Sequence, residues 1–418
     1  MKIAIIGCGA AGATAAQFAR KYNRKAEITI YDNEGYGEYS KCALPYIISG
    51  ELSWKDVIEY PPKWFEKMGM DYKNEEVKRI NFDLMEVEGN DAIQYDKIVI
   101  ATGAKPSSPF KAEGAFFLRN MKDAIEIRNI ATKSKSAIVV GAGLIGMEVA
   151  ESLMKIGIKT KILEYMPNIL PNMIDEDVAD YFLKKINIDV KTNCMVKKVE
   201  NGFVETKDST YEADFVVVAA GNKSNVDLCK KCKINKGIIV DEYCKAMDGV
   251  YAAGDCSQIK DFFGNYIQVG LGSIATRQGR IAGINAAGGN EKLILPLNIK
   301  TTKIFGIEIA SVGLMEKDSK FYSKHFGNLL PEYMKGDKIL IKLMADENGV
   351  LVGAQSIGRN ASLYIDKIAI AIYKKMHVEE LSWFETAYAP KVSPVFDAIN
   401  VACHSLQLKM RRKNERNI

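Results

Sequence analysis

One supersecondary pattern occurs twice in the chain and constrains the fold more than any other feature. Each copy has a short apolar strand, a glycine-rich turn, a helix and a second strand that ends in a carboxylate. The first copy begins with the strand Ile3 to Ile6 and ends at Asp32, and the second begins with Ala137 to Val140 and ends at Glu164. Two such units predict an α/β fold with two Rossmann-like dinucleotide-binding domains.

The two glycine turns have the spacing that a bound pyrophosphate requires. The first glycine permits a tight turn, the second admits the phosphates to backbone N–H groups, and the third packs the helix against the strand. The closing acids, which accept hydrogen bonds from ribose hydroxyls, follow 25 residues after Gly7 and 23 residues after Gly141. The predicted contacts in the turns are Gly7, Gly9, Ala10, Ala11, Gly12, Gly141, Gly143, Leu144, Ile145 and Gly146. Two dinucleotides in one chain indicate a flavin and a nicotinamide carrier.

Three further strands end in small residues and return the chain to these sheets. They end at Ala101-Thr102-Gly103, at Gly221 and at Gly254-Asp255, where Asp255 is predicted to face a ribityl or ribose hydroxyl. After residue 298 the pattern changes to helices preceded by strand-like segments, which indicates a separate α+β domain; the segments are Thr301 to Ala310, Lys338 to Leu343 and Val350 to Ser356. The predicted organisation is an FAD-binding domain from residues 1–110 and 240–297, an NAD(P)H-binding domain from 111–239, and a third, C-terminal domain from 298–418.

Charge and hydropathy exclude several classes of partner. The net charge of +5 is a small difference between 57 basic and 52 acidic residues, so we predict no nucleic-acid partner. No apolar run approaches the ~18 residues that cross a bilayer, so we predict no membrane association and a cytoplasmic location. Eight cysteines are then expected to stay mostly reduced, without a disulfide framework. Cys229 and Cys232 have the spacing of a redox or half zinc site, but no matching second pair follows, and we predict no metal.

Cys42 is the cysteine with the most informative surroundings. It lies between the turn-rich residues 32–39 and an apolar stretch that could begin a helix. The N-terminus of a helix stabilises a thiolate, and the neighbouring Lys41 would lower the thiol pKa further. An isolated cysteine is otherwise usually a small buried side chain. The residues alone therefore leave a reactive thiol and a packing role both open.

The order of these motifs resembles the FAD-dependent pyridine nucleotide-disulfide oxidoreductases over nearly the whole chain. Ser40-Lys41-Cys42-Ala43-Leu44-Pro45-Tyr46 resembles the single-cysteine branch, which contains coenzyme A disulfide reductases, NADH oxidases and peroxidases, and NAD(P)H persulfide or sulfur reductases. The stretch from Ala43 to Ile48 has no second cysteine. The resemblance therefore implies that Cys42 works through a mixed disulfide with a substrate sulfur or through its own sulfenic acid.

The resemblance also implies roles for residues outside this segment. Ala10 stands where the peroxidases and water-forming oxidases have a histidine, which argues against peroxide reduction and four-electron oxygen reduction. Tyr388, within Tyr388-Ala389-Pro390, corresponds to a tyrosine that reaches the active site of the other subunit, which implies a homodimer with shared sites and a role in dimerisation for the C-terminal domain from 298–418. The alternative for Tyr388 is a proline-pinned turn. Ser40 and Lys41 are assigned to the flavin site.

Substrate and nicotinamide contacts are inferred in the same way. Arg20 and Lys21 are suggested contacts for a phosphorylated carrier such as coenzyme A, with a solvated helix end as the alternative. Lys41 either attracts an anionic substrate or only tunes the thiol. Glu148 is predicted to orient the nicotinamide carboxamide, whereas Glu151 is expected to be a surface charge. The residues after Glu164 include no arginine for a 2′-phosphate, which favours NADH over NADPH.

These observations predict an oxidoreductase that passes electrons from NAD(P)H through FAD to a small sulfur substrate. Cys42 would form a mixed disulfide or persulfide, and the Tyr388 phenol would assist the departing thiolate. Coenzyme A disulfide or a related sulfur species is the expected substrate, and coenzyme A is a possible bound adduct. The alternatives are an NADH oxidase that forms hydrogen peroxide and a redox sensor or electron-transfer partner that binds FAD.

Overall fold

The computed structural model describes the backbone of residues 1–415 and the side chains of residues 1–412, so the end of the predicted C-terminal domain lies outside the described residues. Two parallel sheets and one antiparallel sheet form the main body of the protein. Each has helices packed against it, which is the α/β and α+β arrangement that the sequence predicts.

The first part of the chain alternates short strands with four helices. In chain order its elements are β1 (Lys2–Ile6), α1 (Ala10–Tyr22), β2 (Glu27–Tyr31), β3 (Glu38–Tyr39), α2 (Leu44–Ser49), β4 (Ile58–Tyr60), α3 (Pro62–Lys67), β5 (Asp71–Lys73), β6 (Arg79–Asn81), β7 (Glu86–Glu88), β8 (Ala92–Gln94), β9 (Lys97–Ile100), β10 (Ala104–Pro106), β11 (Lys111–Glu113) and α4 (Met121–Ala131).

The middle part contains the second glycine turn and a long helix near its end. Its elements are β12 (Ser136–Val140), α5 (Leu144–Lys155), β13 (Lys159–Leu163), α6 (Glu176–Leu183), β14 (Asp189–Lys191), β15 (Val196–Glu200), β16 (Phe203–Thr206), β17 (Thr210–Glu212), β18 (Phe215–Val218), β19 (Asn222–Ser224), β20 (Ile238–Ile239), β21 (Lys245–Met247), β22 (Val250–Ala252), β23 (Ser257–Lys260), β24 (Tyr266–Gln268) and α7 (Gly272–Ala286).

The last part is an antiparallel sheet followed by helices. Its elements are β25 (Lys300–Ile304), β26 (Ile307–Gly313), β27 (Phe321–Asn328), β28 (Lys338–Ala345), β29 (Leu351–Ile357), α8 (Ala361–Tyr373), α9 (Val378–Trp383) and α10 (Ala398–Glu415).

The first parallel sheet has the order β21-β22-β9-β1-β2-β5, with β21 antiparallel at its edge. Its central strands are apolar and buried: α1 and α7 pack against them, and Ile80 and Val87 of the small β6-β7-β8 sheet belong to the same core. Helix α7 crosses α1 closely, since a Cβ at Gly279 or Gly283 would lie 2.2 Å from the backbone oxygen of Ala11 or Ala15. This close crossing places the N-terminus of α7 at the carboxyl ends of the strands.

The second parallel sheet, β14-β13-β12-β18, repeats the geometry of the first. In the first unit the Gly7 N–H donates to the Tyr31 carbonyl at 2.8 Å, and in the second the Gly141 N–H donates to the Leu163 carbonyl at 2.8 Å. The two sequence repeats are therefore two structural repeats. The first sheet takes strands from residues 2–100 and again from 245–252, while the predicted domain bounds stay a prediction.

The third sheet is antiparallel, with the order β25-β26-β29-β28-β27, and α8 and α10 pack against it. The sequence indicated one strand-like segment from Thr301 to Ala310, but the structure forms a hairpin there. Phe305 and Gly306 have φ values of 50° and 74°, which is the left-handed backbone that a tight hairpin turn requires. Strand β27 was not predicted, because its side chains alternate without a strong apolar pattern.

Within the described residues, none of the helices combines the length and the apolar composition that crossing a bilayer requires.

Candidate active site

A cavity of about 1650 Å³ opens where the strands of the first sheet end and extends to the second glycine turn. Turns that follow β1, β9 and β22 form its floor, and the start of α5 closes one side. The predicted site residues that line it are Gly7, Gly9, Ala10, Ala11, Asp32, Ser40, Lys41, Cys42, Ala101, Thr102, Gly103, Gly143, Leu144, Ile145, Glu148, Gly254 and Asp255. The structure thus brings most of the predicted site together.

Eight predicted residues do not line this cavity: Gly12, Arg20, Lys21, Gly141, Gly146, Glu164, Gly221 and Tyr388. Two of them have a packing role, as the third glycine of each turn should. A Cβ at Gly12 or Gly146 would lie 1.9 Å from the backbone oxygen of the first glycine of its turn. Any side chain there would separate the helix from its strand.

Both glycine turns leave a helix N-terminus facing open space. Gly7 and Gly141 have φ values of +102° and +105°, so each turn depends on left-handed backbone that favours glycine. Gly9 and Gly143 precede α1 and α5, and neither helix has a side-chain cap. A Cβ at Gly143 would meet nothing within 4 Å. Uncapped N–H groups beside free space fit the pyrophosphate of a dinucleotide.

The two closing acids are held by backbone groups at their strand ends. The buried Asp32 carboxylate accepts hydrogen bonds from the N–H groups of Gly35 and Gly37, each at 3.2 Å, and from the Tyr72 hydroxyl. Glu164 accepts from the N–H groups of Ala142 and Met166. Each acid therefore fixes the loop beside its own glycine turn.

Arg119 is a site residue that the sequence analysis missed. It lines the cavity, and its guanidinium donates to the Asp255 carboxylate at 2.8 Å. Its Nε is buried and has no hydrogen-bond partner among the described residues. An unpaired buried donor on a residue that lines the cavity fits FAD, which carries many acceptor oxygens. No sequence motif singles out this arginine.

Cys42 is the cysteine exposed in this cavity. A short 3₁₀ turn, Lys41–Ala43, carries it, and α2 follows, so the predicted helix start is present. A Cβ at Gly272, the first residue of α7, would lie 3.8 Å from the Cys42 Sγ. The sulfur therefore lies beside the positive end of a 15-residue helix from a distant part of the chain.

The predicted lowering of the Cys42 pKa by Lys41 is wrong. Enclosure by the cavity walls raises the pKa of this thiol, and the Glu148 and Asp255 carboxylates raise it further, while Arg119 lowers it. The Lys41 ammonium is instead paired with Glu34, with 2.7 Å between Nζ and Oε1. The charge next to Cys42 in sequence is thus neutralised by another partner.

Glu148 joins the middle and last parts of the chain at the cavity wall. Its carboxylate accepts a hydrogen bond from the Thr302 hydroxyl at 2.7 Å, and burial raises its pKa. Glu151, which we expected to be a surface charge, is buried instead. It accepts from the Phe305 N–H at 2.9 Å and pairs with Lys155, so it fastens α5 to the third sheet.

Tyr388 lies on an exposed loop of the last part of the chain, away from the cavity of its own subunit. Interaction with its phenol raises the pKa of Tyr333. Trp383, the last residue of α9, and Phe384 and Val392, on the same loop as Tyr388, have exposed fractions of 71%, 60% and 70%. The loop therefore presents an apolar surface.

The suggested contacts at the end of α1 divide into two different environments. The Arg20 guanidinium donates to the carbonyls of Arg24 and Gly69, each at 2.7 Å, so it closes a local loop. The Lys21 ammonium lies 4.7 Å from the ring centre of Phe18, a residue that lines the cavity. The structure thus leaves Lys21, rather than Arg20, near the cavity edge.

One pair of cysteines departs from the expected reduced state. Cys229 and Cys232 are joined by a disulfide, whereas Cys8, Cys42, Cys194, Cys244, Cys256 and Cys403 are free. Two cysteines three residues apart can be bonded within one turn without a wider disulfide framework.

The arrangement of two dinucleotide cradles around a thiol defines a class, a flavoprotein that uses a nicotinamide reductant. Comparison with known proteins agrees. The pyridine nucleotide-disulphide oxidoreductase model matches residues 1–287, and the dimerisation-domain model of the same family matches residues 299–398. The chain therefore belongs to the pyridine nucleotide-disulphide oxidoreductase family, and it is an NAD(P)H-dependent flavoprotein oxidoreductase. The predicted fold class and enzyme class are confirmed.

Relatives and solved structures cover almost the whole chain. An NADH oxidase from Methanocaldococcus jannaschii is 34% identical over 99% of this chain and 100% of its own length. An NAD(P)H sulfur oxidoreductase (CoA-dependent) from Pyrococcus abyssi is 28% identical over 97% of this chain and 98% of its own. The structure of an NAD-dependent persulfide reductase from A. fulgidus is 29% identical and superposes with a TM-score of 0.93 over 99% of this chain and 84% of its own.

Proposed function

We propose that the protein reduces a low-molecular-weight disulfide or persulfide with electrons from NAD(P)H, and that Cys42 is the sulfur that reacts with the substrate. The observation that carries this proposal is the position of Cys42. Its sulfur is exposed in the large cavity and lies beside the N-terminus of α7. The names of the sulfur oxidoreductase and persulfide reductase among the relatives support the same substrate class.

Cys42 divides the reduction into two sulfur-transfer steps. Its thiolate attacks one sulfur of the substrate disulfide, a new S–S bond forms to Cys42, and the other half leaves as a thiolate that takes up a proton. The mixed disulfide would return to the Cys42 thiolate and a second thiol with two electrons that a bound FAD, reduced by NAD(P)H, would supply. The N-terminus of α7 stabilises the negative charge on Cys42 before the attack and after its release.

The nicotinamide carrier is proposed to be NADH. Glu164 directly follows β13, where a dinucleotide ribose would lie, and its carboxylate would repel a 2′-phosphate. The nearby Lys161 is engaged by Asp189, with 2.6 Å between the charged atoms. Tyr165 and Met166, which follow the acid, supply no positive charge. Glu148, at the wall between the two nucleotide turns, is proposed to orient the carboxamide.

The substrate is proposed to carry a coenzyme A group, and the reaction is proposed to take place in the cytoplasm. Lys21 and Phe18 lie at the cavity edge and offer a cation and a flat ring to a phosphorylated nucleotide. Arg20 is not included in this proposal because the backbone engages its guanidinium. Six free cysteines are consistent with a compartment that keeps thiols reduced.

The active unit is proposed to be a homodimer in which Tyr388 reaches the Cys42 cavity of the other subunit. The dimerisation-domain model of the family matches residues 299–398, which include the exposed apolar segment of Trp383 and Phe384. Tyr388 does not line the cavity of its own subunit. A phenol at that position would donate a proton to the thiolate that leaves the substrate.

A mixed dimer tests whether the site is shared. We expect that Cys42→Ser and Tyr388→Phe homodimers each turn over coenzyme A disulfide poorly, whereas a heterodimer of the two variants regains close to half the wild-type activity. One of its two sites then combines an intact Cys42 with an intact Tyr388 from the other chain. Differently tagged subunits, purified as heterodimers, supply the measurement. A heterodimer no more active than the Tyr388→Phe homodimer would show that the tyrosine acts within its own chain or not at all.

Oxygen reduction is the second candidate function, favoured by the name of the M. jannaschii relative. Ala10 lines the cavity, and its side chain has no group that could protonate a bound peroxide. Hydrogen peroxide would therefore be the product. We expect the steady-state kcat/KM of the purified protein for coenzyme A disulfide or a coenzyme A persulfide to exceed its value for oxygen under the same NADH concentration. A larger value for oxygen would establish the oxidase function instead.

A further inference from the structure

A second pair of sulfur atoms lies outside the Cys42 site and is unused by the function proposed above. Cys229 and Cys232 are bonded in a turn that follows β19, with 5.5 Å between their Cα atoms. The Cys229 N–H donates to the Val226 carbonyl, and the Cys232 N–H donates to the Cys229 carbonyl. The turn therefore holds both cysteines at bonding range through its own backbone.

The two sulfurs differ in accessibility, and their surroundings are basic. Cys229 is fully buried, whereas Cys232 is partly exposed. Lys230 and Lys231, between them, are both exposed, and Lys231 pairs with Asp83. Neighbouring ammonium groups stabilise a thiolate and attract an anionic thiol. An incoming thiolate can therefore approach Cys232, the partly exposed sulfur of the pair.

The remaining free cysteines do not share these properties. Apart from Cys42, the described free cysteines are all buried, and burial raises the pKa of each: Cys8, Cys194, Cys244, Cys256 and Cys403. Thiol exchange needs a thiolate and an open approach. Among the described residues, Cys42 and the Cys229–Cys232 pair are thus the sulfurs suited to exchange.

The turn is connected to the cavity through Asn225. The Thr102 hydroxyl donates to the Asn225 carbonyl at 2.7 Å, and the Asn225 amide donates to the Thr102 carbonyl at 2.9 Å. The Asn225 N–H also donates to the Gly103 carbonyl at 2.9 Å. Thr102, Gly103, Asn225 and Leu228 all line the cavity. The disulfide therefore lies directly after Leu228, at the end of the segment that supports one wall of the proposed flavin site.

We propose that Cys229 and Cys232 are a second thiol–disulfide couple, which exchanges with the small-molecule thiols and disulfides of the reaction and sets how firmly residues 225–232 support the cavity wall. The identity of its exchange partner rests on the proposed function. A small-molecule thiolate attacks the Cys232 sulfur, the Cys229–Cys232 bond breaks, and Cys229 leaves as a thiolate. A second thiolate then attacks the mixed disulfide, which gives a small-molecule disulfide and the Cys232 thiolate. Two electrons pass from two thiols to the protein.

Differential alkylation of the holoenzyme tests the couple. The Cys42→Ser variant is equilibrated in buffers with different ratios of coenzyme A to coenzyme A disulfide, labelled in the native state, and analysed by peptide mass spectrometry. We expect Cys229 and Cys232 to change together from unlabelled in the disulfide-rich buffer to labelled in the thiol-rich buffer. Cys194, the matched buried control, stays unlabelled in both. A pair that stays bonded until denaturation, or that is labelled in every buffer, overturns the proposal.

The rate of FAD release tests the connection to the cavity. We expect release from Cys42→Ser to be several-fold faster in the thiol-rich buffer, and Cys42→Ser/Cys232→Ser to release FAD at the fast rate in both buffers. Adding Cys194→Ser in place of Cys232→Ser should leave the buffer dependence unchanged. Equal rates throughout would overturn the role in the cavity wall. Every variant in this experiment lacks Cys42, so the FAD-release result does not depend on turnover. Absence of turnover by the wild-type protein would reject the proposed function alone.

Discussion

Replacement of Cys42 by serine is expected to reduce turnover of coenzyme A disulfide by at least ~10³-fold, because removal of a reacting nucleophile abolishes the step that depends on it. Serine keeps the size of the side chain, but its hydroxyl is a far weaker nucleophile than a thiolate and cannot form a disulfide. The glycine turns, Arg119 and Asp255 are untouched, so FAD content and anaerobic bleaching of the flavin by NADH should stay close to wild type.

Two measurements separate this expectation from a general loss of folding. Steady-state NADH consumption with coenzyme A disulfide reports the sulfur step, and anaerobic reduction of bound FAD by NADH reports the nicotinamide step. Cys194→Ser is the matched control, since Cys194 is a buried cysteine outside the cavity, and it should keep both activities. Undiminished disulfide turnover in Cys42→Ser would refute a role for this thiol in catalysis.

The second large effect is expected at Lys342, which lies at the contact between the middle and last parts of the chain. Its side chain is fully buried in β28, and its ammonium contacts the carboxylates of Asp175, Asp177 and Glu316. Although burial alone would lower the pKa of Lys342, hydrogen bonds to these carboxylates raise it. Among the described residues, these three acids form the one group close enough to bind a metal ion, and the ammonium takes the cation position.

Lys342→Met is expected to lower the free energy of unfolding by ~3–5 kcal/mol, because it leaves clustered carboxylates without their cation. Lys324→Met is the matched control. Lys324 also pairs with Asp177, at 2.7 Å, but its side chain is 33% exposed, so its loss should cost ~1 kcal/mol or less. Urea unfolding followed by far-ultraviolet circular dichroism measures both.

A companion variant distinguishes the buried charge from a packing defect. Addition of Asp177→Asn and Glu316→Gln to Lys342→Met removes two of the three negative charges and should recover part of the lost stability. If Lys342→Met and Lys324→Met prove equally stable, the ammonium is not needed to neutralise this cluster. If the companion variant recovers nothing, the lost contacts of the lysine stem explain the effect.

The sequence was most informative where function depends on local backbone geometry. Spacing alone located Gly7 and Gly141, whose positive φ values make the two turns, and the acids that directly follow β2 and β13. The single-cysteine motif likewise located Cys42 before a helix. These features are local because a turn and its strand ends lie within about thirty residues of each other.

Sequence reasoning failed where charges meet across the fold. Lys41 adjoins Cys42 in the chain but pairs with Glu34, and Glu151 has a helix-surface spacing but is buried against Phe305. Arg119 was missed because its partner, Asp255, arrives from a strand far along the chain. Periodicity carries no information about such contacts, since they depend on how separate elements pack.

Cys42 stays a proposed reactive thiol; by itself, the sequence determined the two nucleotide-binding turns and the strands that flank each of them. Those follow from residue types at fixed local spacing, which chain stereochemistry interprets directly. The tertiary structure decided the electrostatic environment of that thiol: α7 at its sulfur, Glu148 and Asp255 nearby, and Lys41 turned to another partner. Burial and through-space distance set the energy of a charge, and both exist only once the chain has folded.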